Sequence, residues 1–223
     1  MPGLTDQVIP LLLRWVHVLA GIIWIGHLYF FNFVNANFEK SLDASLKKPV
    51  IPQLRPRALW WFRWGAMITM LSGVTYLIWE QFVSGSQHFG GWFNNAKDIW
   101  ITYGALLGLI MWFNVWFVIW PNQKIILTGI STGNKPADFD ARVATAGKFS
   151  RINTYLSGPM LFGMVARSHF GVGVDMWLWI SMAASLALGL ATAYHFIWMV
   201  GPKVGKEFIA STPAPAAPPA PPK

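Results

Sequence analysis

Two histidines and an arginine interrupt the first apolar segment of the chain, which runs from about Val8 to Val34. The central part of the segment reads PLLLRWVHVLAGIIWIGHLYFFNFV and contains Arg14, His17 and His27. An ionisable residue at membrane depth costs roughly 2.5–3.5 kcal/mol on insertion scales, so such residues mark functional sites by default. Neutral imidazole is the commonest metal ligand and an axial ligand of haem iron. The three residues therefore indicate redox or cofactor chemistry.

The composition is that of a membrane protein. Of the 223 residues, 54% are hydrophobic and only 12% are charged, whereas soluble domains average about 25% charged residues. The chain has no cysteine, which excludes disulfides, thiolate metal sites and covalent c-type haem attachment within these residues. The net charge is +8. Because the basic residues flank apolar segments, they favour contact with anionic lipid and give no reason to expect nucleic acid as a partner.

Five apolar segments are long enough to cross a bilayer core of about 30 Å. They predict an all-α integral membrane bundle with spans at about 8–34, 58–83, 99–121, 151–167 and 174–200. Most basic residues fall in the predicted loops 35–57 and 122–150 and at the start of the tail. The positive-inside rule then predicts an outside N-terminus and a cytoplasmic C-terminus, in a bacterial-type inner (plasma) membrane.

The pattern divides the chain into two parts. Residues 1–203 form the predicted multi-pass membrane domain, and residues 204–223 form a Pro/Ala-rich tail that is expected to be disordered or extended. Pro159 lies in the middle of the fourth predicted span, where a proline removes a backbone hydrogen bond and predicts a kink. Gly104 and Gly108 form a G-x-x-x-G pattern that predicts close helix packing.

The predicted topology assigns depths to the histidines. His27 and His195 fall in the inner halves of two different spans, which is what axial ligation of one haem b from both sides requires. His17 is ten residues from His27, about 15 Å along a helix, so these two cannot bind one iron together. The alternative is that each histidine is a polar anchor bonded to a carbonyl. His88 and His169 lie outside the spans and are weaker candidates.

Arg14 and His17 are three residues apart and share one face of a helix. The guanidinium of Arg14 offers a planar fork of donors for a haem propionate, a quinone carbonyl or an anionic substrate. It also has a simpler explanation, because a long basic side chain can extend to the membrane surface. Asn114 and Asn153 are further polar residues within spans, which are expected to link helices by hydrogen bonds.

Four stretches of the sequence are similar to one known family. They are Arg14–Gly26 (RWVHVLAGIIWIG), Ala58–Gly65 (ALWWFRWG), Phe113–Lys124 (FNVWFVIWPNQK) and Arg151–Met160 (RINTYLSGPM). Together they resemble the urate oxidase N-terminal domain family of membrane proteins. The resemblance implies a helical membrane domain, with His17 at the histidine of the family's first motif.

The long members of this family are thought to oxidise urate at the membrane and to pass electrons to cytochrome c. These 223 residues contain no C-x-x-C-H motif, so this chain resembles a short form without the cytochrome c-like domain. If it is an enzyme, the resemblance implies an oxidoreductase that needs a separate cytochrome as acceptor. A short form is also expected to be a subunit of a larger membrane complex.

Together these observations predict a redox-associated membrane protein that binds haem b. The candidate haem ligands are His17, His27 and His195, with Arg14 as the partner of a propionate or a substrate. One alternative is a cofactor-free accessory or scaffold subunit of a respiratory or photosynthetic complex. A second alternative is a small-molecule transporter, which rests on Arg14 and the proline in the fourth span.

Overall fold

The computed structural model describes residues 4–83 and 92–206. Within these ranges the chain forms seven α-helices and no β-strand, which confirms the predicted all-α fold. The helices are α1 (Leu4–Tyr29), α2 (Ala36–Ser41), α3 (Ala44–Ile78), α4 (Ala96–Phe113), α5 (Trp120–Thr132), α6 (Phe139–His169) and α7 (Met176–Tyr194). His88 and most of the predicted tail, from residue 207 onward, lie outside the described residues.

Four of the helices run directly into a π-helical turn. These turns are Phe30–Asn35 after α1, Trp79–Val83 after α3, Asn114–Ile119 after α4 and His195–Val200 after α7. A π-helical turn re-aims the side chains around it, and such turns often occur at functional sites. Each turn carries a polar residue of interest here, namely Asn32, Glu80, Asn114 and His195.

Four helical segments in the described residues are long and apolar enough to cross a membrane. They are Leu4–Ser41, Ala44–Val83, Ala96–Thr132 and Met176–Val200. The fourth predicted span, 151–167, lies within α6, a 31-residue helix that is not among these four. Since α6 packs against α4, α5 and α7, much of its surface faces protein, and polar residues such as Asn153, Thr154 and Ser157 are buried on it.

The two basic segments predicted as loops are largely helical. α3 begins at Ala44, after Asp43 caps it by accepting a hydrogen bond from the backbone N–H of Ser45. Its prolines, Pro49, Pro52 and Pro56, recur at helical spacing and share one face, so the carbonyls that they leave unbonded lie together on that face. The segment 122–150 contains the rest of α5 and the start of α6, joined by a turn at Gly133 with a φ of 80°.

Close backbone contacts hold the central helices together. A Cβ built on Gly104 would lie 3.1 Å from the carbonyl oxygen of Met160, so α4 and α6 meet there. Gly108, in contrast, has only an ordinary contact of 3.9 Å with the Met160 side chain. α6 runs unbroken through Pro159, whose ring packs on Gly189 of α7. Of the predicted glycine pattern, Gly104 alone is required for close helix packing.

Arg63 is a cationic side chain that packs on tryptophan rings inside the bundle. Its guanidinium lies 3.9 Å from the ring centroid of Trp120 and 5.7 Å from that of Trp116. The indole N–H of Trp116 also donates to the Arg63 carbonyl at 3.2 Å. The electron-rich face of an indole attracts a guanidinium, so this arginine links α3 to the π-helical turn after α4 and to α5.

Candidate functional site

A groove between α1 and α3 combines one imidazole with aromatic and aliphatic side chains. It has a volume of about 470 Å³ and includes His27, Arg57 and Trp61. The remaining lining is Ile22, Ile23, Gly26, Phe30, Leu54 and Ala58. A Cβ built on Gly26 meets no atom within 4 Å, so the groove is open beside the histidine. The groove therefore offers an apolar surface, one imidazole and one guanidinium.

The hydrogen bonds of His27 decide which ring nitrogen can act as a ligand. Nδ1 lies 2.7 Å from the carbonyl oxygen of Ile23. A carbonyl only accepts, so Nδ1 carries the proton, and Nε2 of the neutral ring keeps its lone pair. Histidines that ligate metals typically have one nitrogen fixed in this way by a carbonyl or carboxylate. His27 is therefore held in the tautomer that can ligate a metal through Nε2.

A second polar region lies on the α1–α3 contact, about three helical turns from His27. Nδ1 of His17 lies 2.9 Å from the carbonyl oxygen of Thr69 and 3.5 Å from Oγ of Ser72. The ring packs tightly, because a Cβ built on Gly73 would lie 2.9 Å from Cε1 of His17. The carbonyl of Thr69 again places the proton on Nδ1. His17 is thus fixed between two helices and does not line the His27 groove.

Arginine and tyrosine side chains from three helices meet one turn away from His17. Arg14 donates a hydrogen bond to the hydroxyl of Tyr76, and its guanidinium lies 4.6 Å from the Tyr76 ring centroid. Arg167, at the end of α6, lies 5.9 Å from the same centroid. Tyr76 is buried, whereas Arg14 is exposed. The pair of guanidinium groups forms a positively charged region around one phenol ring.

Two buried carboxyl groups occupy the same end of the bundle. Glu80 follows Tyr76 by four residues and is 2% exposed, and Asp98 at the start of α4 is 1% exposed. Within the described residues, Oε2 of Glu80 and Oδ1 of Asp98 have no hydrogen-bond partner. Buried polar atoms are rarely left in this way, so these oxygens can accept hydrogen bonds from a ligand or from water.

The structure does not bring the three candidate histidines together. His195 is exposed on the π-helical turn after α7, and the neighbouring Phe196 lines a different cavity from the one that includes His27. In the described part of the chain, no three His, Cys, Asp or Glu side chains are arranged to hold a metal ion. His169 is exposed and bonds to the carbonyl of Val165 at 3.1 Å. His195 is not among the residues that line the His27 groove, and the two-sided pairing of His27 and His195 stays a prediction.

Several site residues were not predicted from the sequence. Arg57 and Trp61 enter the His27 groove from α3, a contact that depends on how two helices pack. Thr69, Ser72 and Tyr76 are buried on α3, and Glu80 continues their series. Their spacing of three or four residues is a helical signal from which a polar face on α3 could have been predicted.

The fold and site define a helical membrane protein with histidine and arginine side chains between its helices. The model of the urate oxidase N-terminal family matches residues 86–214, more than half of the chain. The chain therefore belongs to that family, as the sequence motifs predicted. The match includes the motifs Phe113–Lys124 and Arg151–Met160, whereas Arg14–Gly26 and Ala58–Gly65 precede it. No curated protein and no solved structure matches the chain.

Proposed function

We propose that the chain is a redox subunit of a membrane complex and that it binds haem b in the groove between α1 and α3. The observation that carries the proposal is His27, whose Nδ1 is tied to the Ile23 carbonyl at 2.7 Å and whose ring lines a largely apolar groove. Haem b needs an axial imidazole, apolar surface against the macrocycle and a cation near the propionates. His27, Trp61 and Arg57 are side chains of these three kinds.

The residues of the groove have separable roles in this proposal. His27 supplies Nε2 as the ligand, and the Ile23 carbonyl orients the imidazole. Phe30 and Trp61 supply aromatic surface against which a macrocycle could pack. Arg57 donates one N–H to the carbonyl of Gln53. Its other N–H groups can donate to a carboxylate. Bound haem supplies a one-electron redox centre whose potential depends on the axial ligand and on burial.

His195 is not among the residues that line the groove, so of the three candidate histidines His27 alone would hold a haem bound there. The proposed setting is a bacterial-type inner membrane with an outside N-terminus, and the proposed electron acceptor is a separate cytochrome c. The family membership and the four apolar helices support the membrane location itself.

The spectrum of the purified protein tests the proposal. Protein purified in mild detergent is expected to show a Soret band and, after dithionite reduction, a b-type α-band, with about one haem per chain in a pyridine haemochrome assay. Well-folded protein without these bands after expression with added haem precursor would refute haem binding. The accessory or scaffold role would then be favoured, and proteins that co-purify would be identified next.

Binding of urate is a second candidate function, favoured by the contacts of Arg14. Its guanidinium lies against the Tyr76 ring, with Arg167 on the same ring. At the same end, Oε2 of Glu80 and Oδ1 of Asp98 have no hydrogen-bond partner among the residues that the structure describes. This set can accept from the N–H groups of a planar anion and donate to its oxygens. A membrane transporter for such an anion would use the same residues.

Calorimetric titration with urate tests this second candidate. We expect Arg14→Gln to weaken urate binding by about tenfold, because a hydrogen bond to a charged group contributes about 1.5 kcal/mol. Arg57→Gln is the matched control, since Arg57 lines the His27 groove, and it should leave urate binding unchanged. Equal losses in both variants, or no binding by the unchanged protein, would exclude this site.

A further inference from the structure

A second cavity lies on the other side of α1, between α6, α7 and the π-helical turn after α1. Its volume is about 440 Å³. The lining contains no charged residue, so the cavity has no side chain that would pair with a charged headgroup. Aromatic rings from three segments contribute to it, including Phe33, Phe162 and Phe196. An uncharged, largely apolar molecule from the bilayer is the ligand class that suits such a lining.

The cavity differs from a simple lipid groove because hydroxyl groups line it. Tyr29, Thr154, Ser157, Ser181, Ser185 and Thr192 all contribute. An acyl chain makes no use of the lone pairs that hydroxyl oxygens present. The lining therefore indicates a ligand that has polar atoms as well as an apolar body.

The hydrogen bonds of these hydroxyls show what the ligand must offer. Ser157 donates to the carbonyl of Thr154 at 2.7 Å, so its proton is used. The 2.9 Å contact between Tyr29 and Ser157 therefore has Tyr29 as donor. Ser181 and Ser185 likewise donate to carbonyls of α7. Hydroxyl oxygens keep lone pairs after donating, so the cavity accepts hydrogen bonds and has few free donors.

We propose that this cavity binds the headgroup of a membrane quinol, the reduced and hydroxyl-bearing form of a quinone. A quinol is uncharged, lies in the bilayer, stacks on aromatic rings and donates two hydrogen bonds, so it matches each property of the lining. Oxidised quinone has only acceptors and meets a cavity in which the protons of Tyr29, Ser157 and Ser185 are already used.

The position of the cavity relates it to the groove on the opposite face of α1. Tyr29 lines the cavity and His27 lines the groove. Residues two positions apart in an α-helix, as His27 and Tyr29 are, lie about 3 Å apart along the axis, and their side chains point about 200° apart. The two sites are therefore at one level and separated by a single helix about 10–12 Å wide. Quinol binding in the cavity does not depend on the haem proposed at His27.

Calorimetric titration of the detergent-purified protein with decyl-ubiquinol, kept reduced, tests the proposal. The dimethyl ether of the same quinol, which cannot donate a hydrogen bond, is the matched probe. We expect the ether to bind about tenfold more weakly, because it loses a hydrogen bond and about 1.4 kcal/mol of binding free energy corresponds to a factor of ten. Tyr29→Phe should weaken quinol binding by a similar factor, because it removes an acceptor and keeps the ring.

Tyr155→Phe is the control variant. Tyr155 also lies in a bundle helix, but it accepts from the indole of Trp198 at 3.0 Å and does not line the cavity. It should leave quinol binding unchanged. Equal binding of the quinol and its ether would overturn the proposal in favour of an acyl chain, and absence of quinol binding would overturn it outright. The titration does not require haem, so its failure is distinguishable from a missing Soret band.

Discussion

Replacing Gly189 by alanine should lower the free energy of unfolding by about 3 kcal/mol, at the upper end of what overpacking usually costs. A Cβ on Gly189 would lie 2.3 Å from Cδ and 2.8 Å from Cγ of Pro159. The pyrrolidine ring has no alternative rotamer that would relieve the contact. α7 would have to move away from α6, and their packing would be lost along the contact.

Gly108→Ala is the matched control, because a Cβ there is 3.9 Å from its nearest neighbour, Cγ of Met160. Alanine is a better helix former than glycine, so this variant should be unchanged or slightly more stable. Reversible unfolding in mixed micelles of mild detergent and dodecyl sulfate, followed by circular dichroism, measures both. Equal stabilities for the two variants would show that α6 and α7 do not meet at Gly189.

Asn153→Leu should cost about 2 kcal/mol, because it leaves a buried amide without its partner. Asn153 is fully buried and accepts from Nδ2 of Asn114 at 2.8 Å, while its own amide donates to the carbonyl of Met111 at 2.9 Å. Asn114 begins the π-helical turn after α4, so the pair fixes that turn against α6. The same unfolding measurement gives the change in free energy.

A double-mutant cycle separates the lost contact from poor packing of leucine. The double variant Asn114→Leu/Asn153→Leu removes both polar groups, and replacing both partners by apolar ones is often nearly neutral. It should therefore be more stable than Asn153→Leu alone. If the losses in unfolding free energy of the two single variants add up to that of the double variant, the two amides do not stabilise each other.

The sequence predicted the helices and the polar residues inside them better than it predicted the contacts. Ionisable residues in an apolar segment are visible without a structure, and for that reason His17, His27 and Arg14 were found. Which way each side chain points depends on helix rotation, and packing decides rotation. The sequence therefore predicts His27 and His195 at matching depth but not their surroundings: His27 lines the groove between α1 and α3, whereas His195 is exposed on the π-helical turn after α7.

The predicted helix boundaries differ from those in the structure for another reason. The segment 35–57 contains lysines and prolines and was predicted as a loop, yet α3 begins at Ala44. Its prolines share one face, and a helix tolerates them where the unbonded carbonyls find other partners. The segment 151–167 is predicted as one of the five apolar spans. It belongs to α6, which packs against three helices and carries buried polar residues in place of a continuous apolar surface.

The measurement that tests the central claim most directly compares the haem content of three variants. His27→Ala is expected to remove the Soret band and to leave less than about a tenth of the haem, because the axial ligand is gone. His195→Ala should keep the band, since His195 is not part of the α1–α3 groove. His17→Ala should keep it too, because its ring is packed against Gly73 away from the groove. Full haem content in His27→Ala, with circular dichroism showing all three variants folded, would contradict the account.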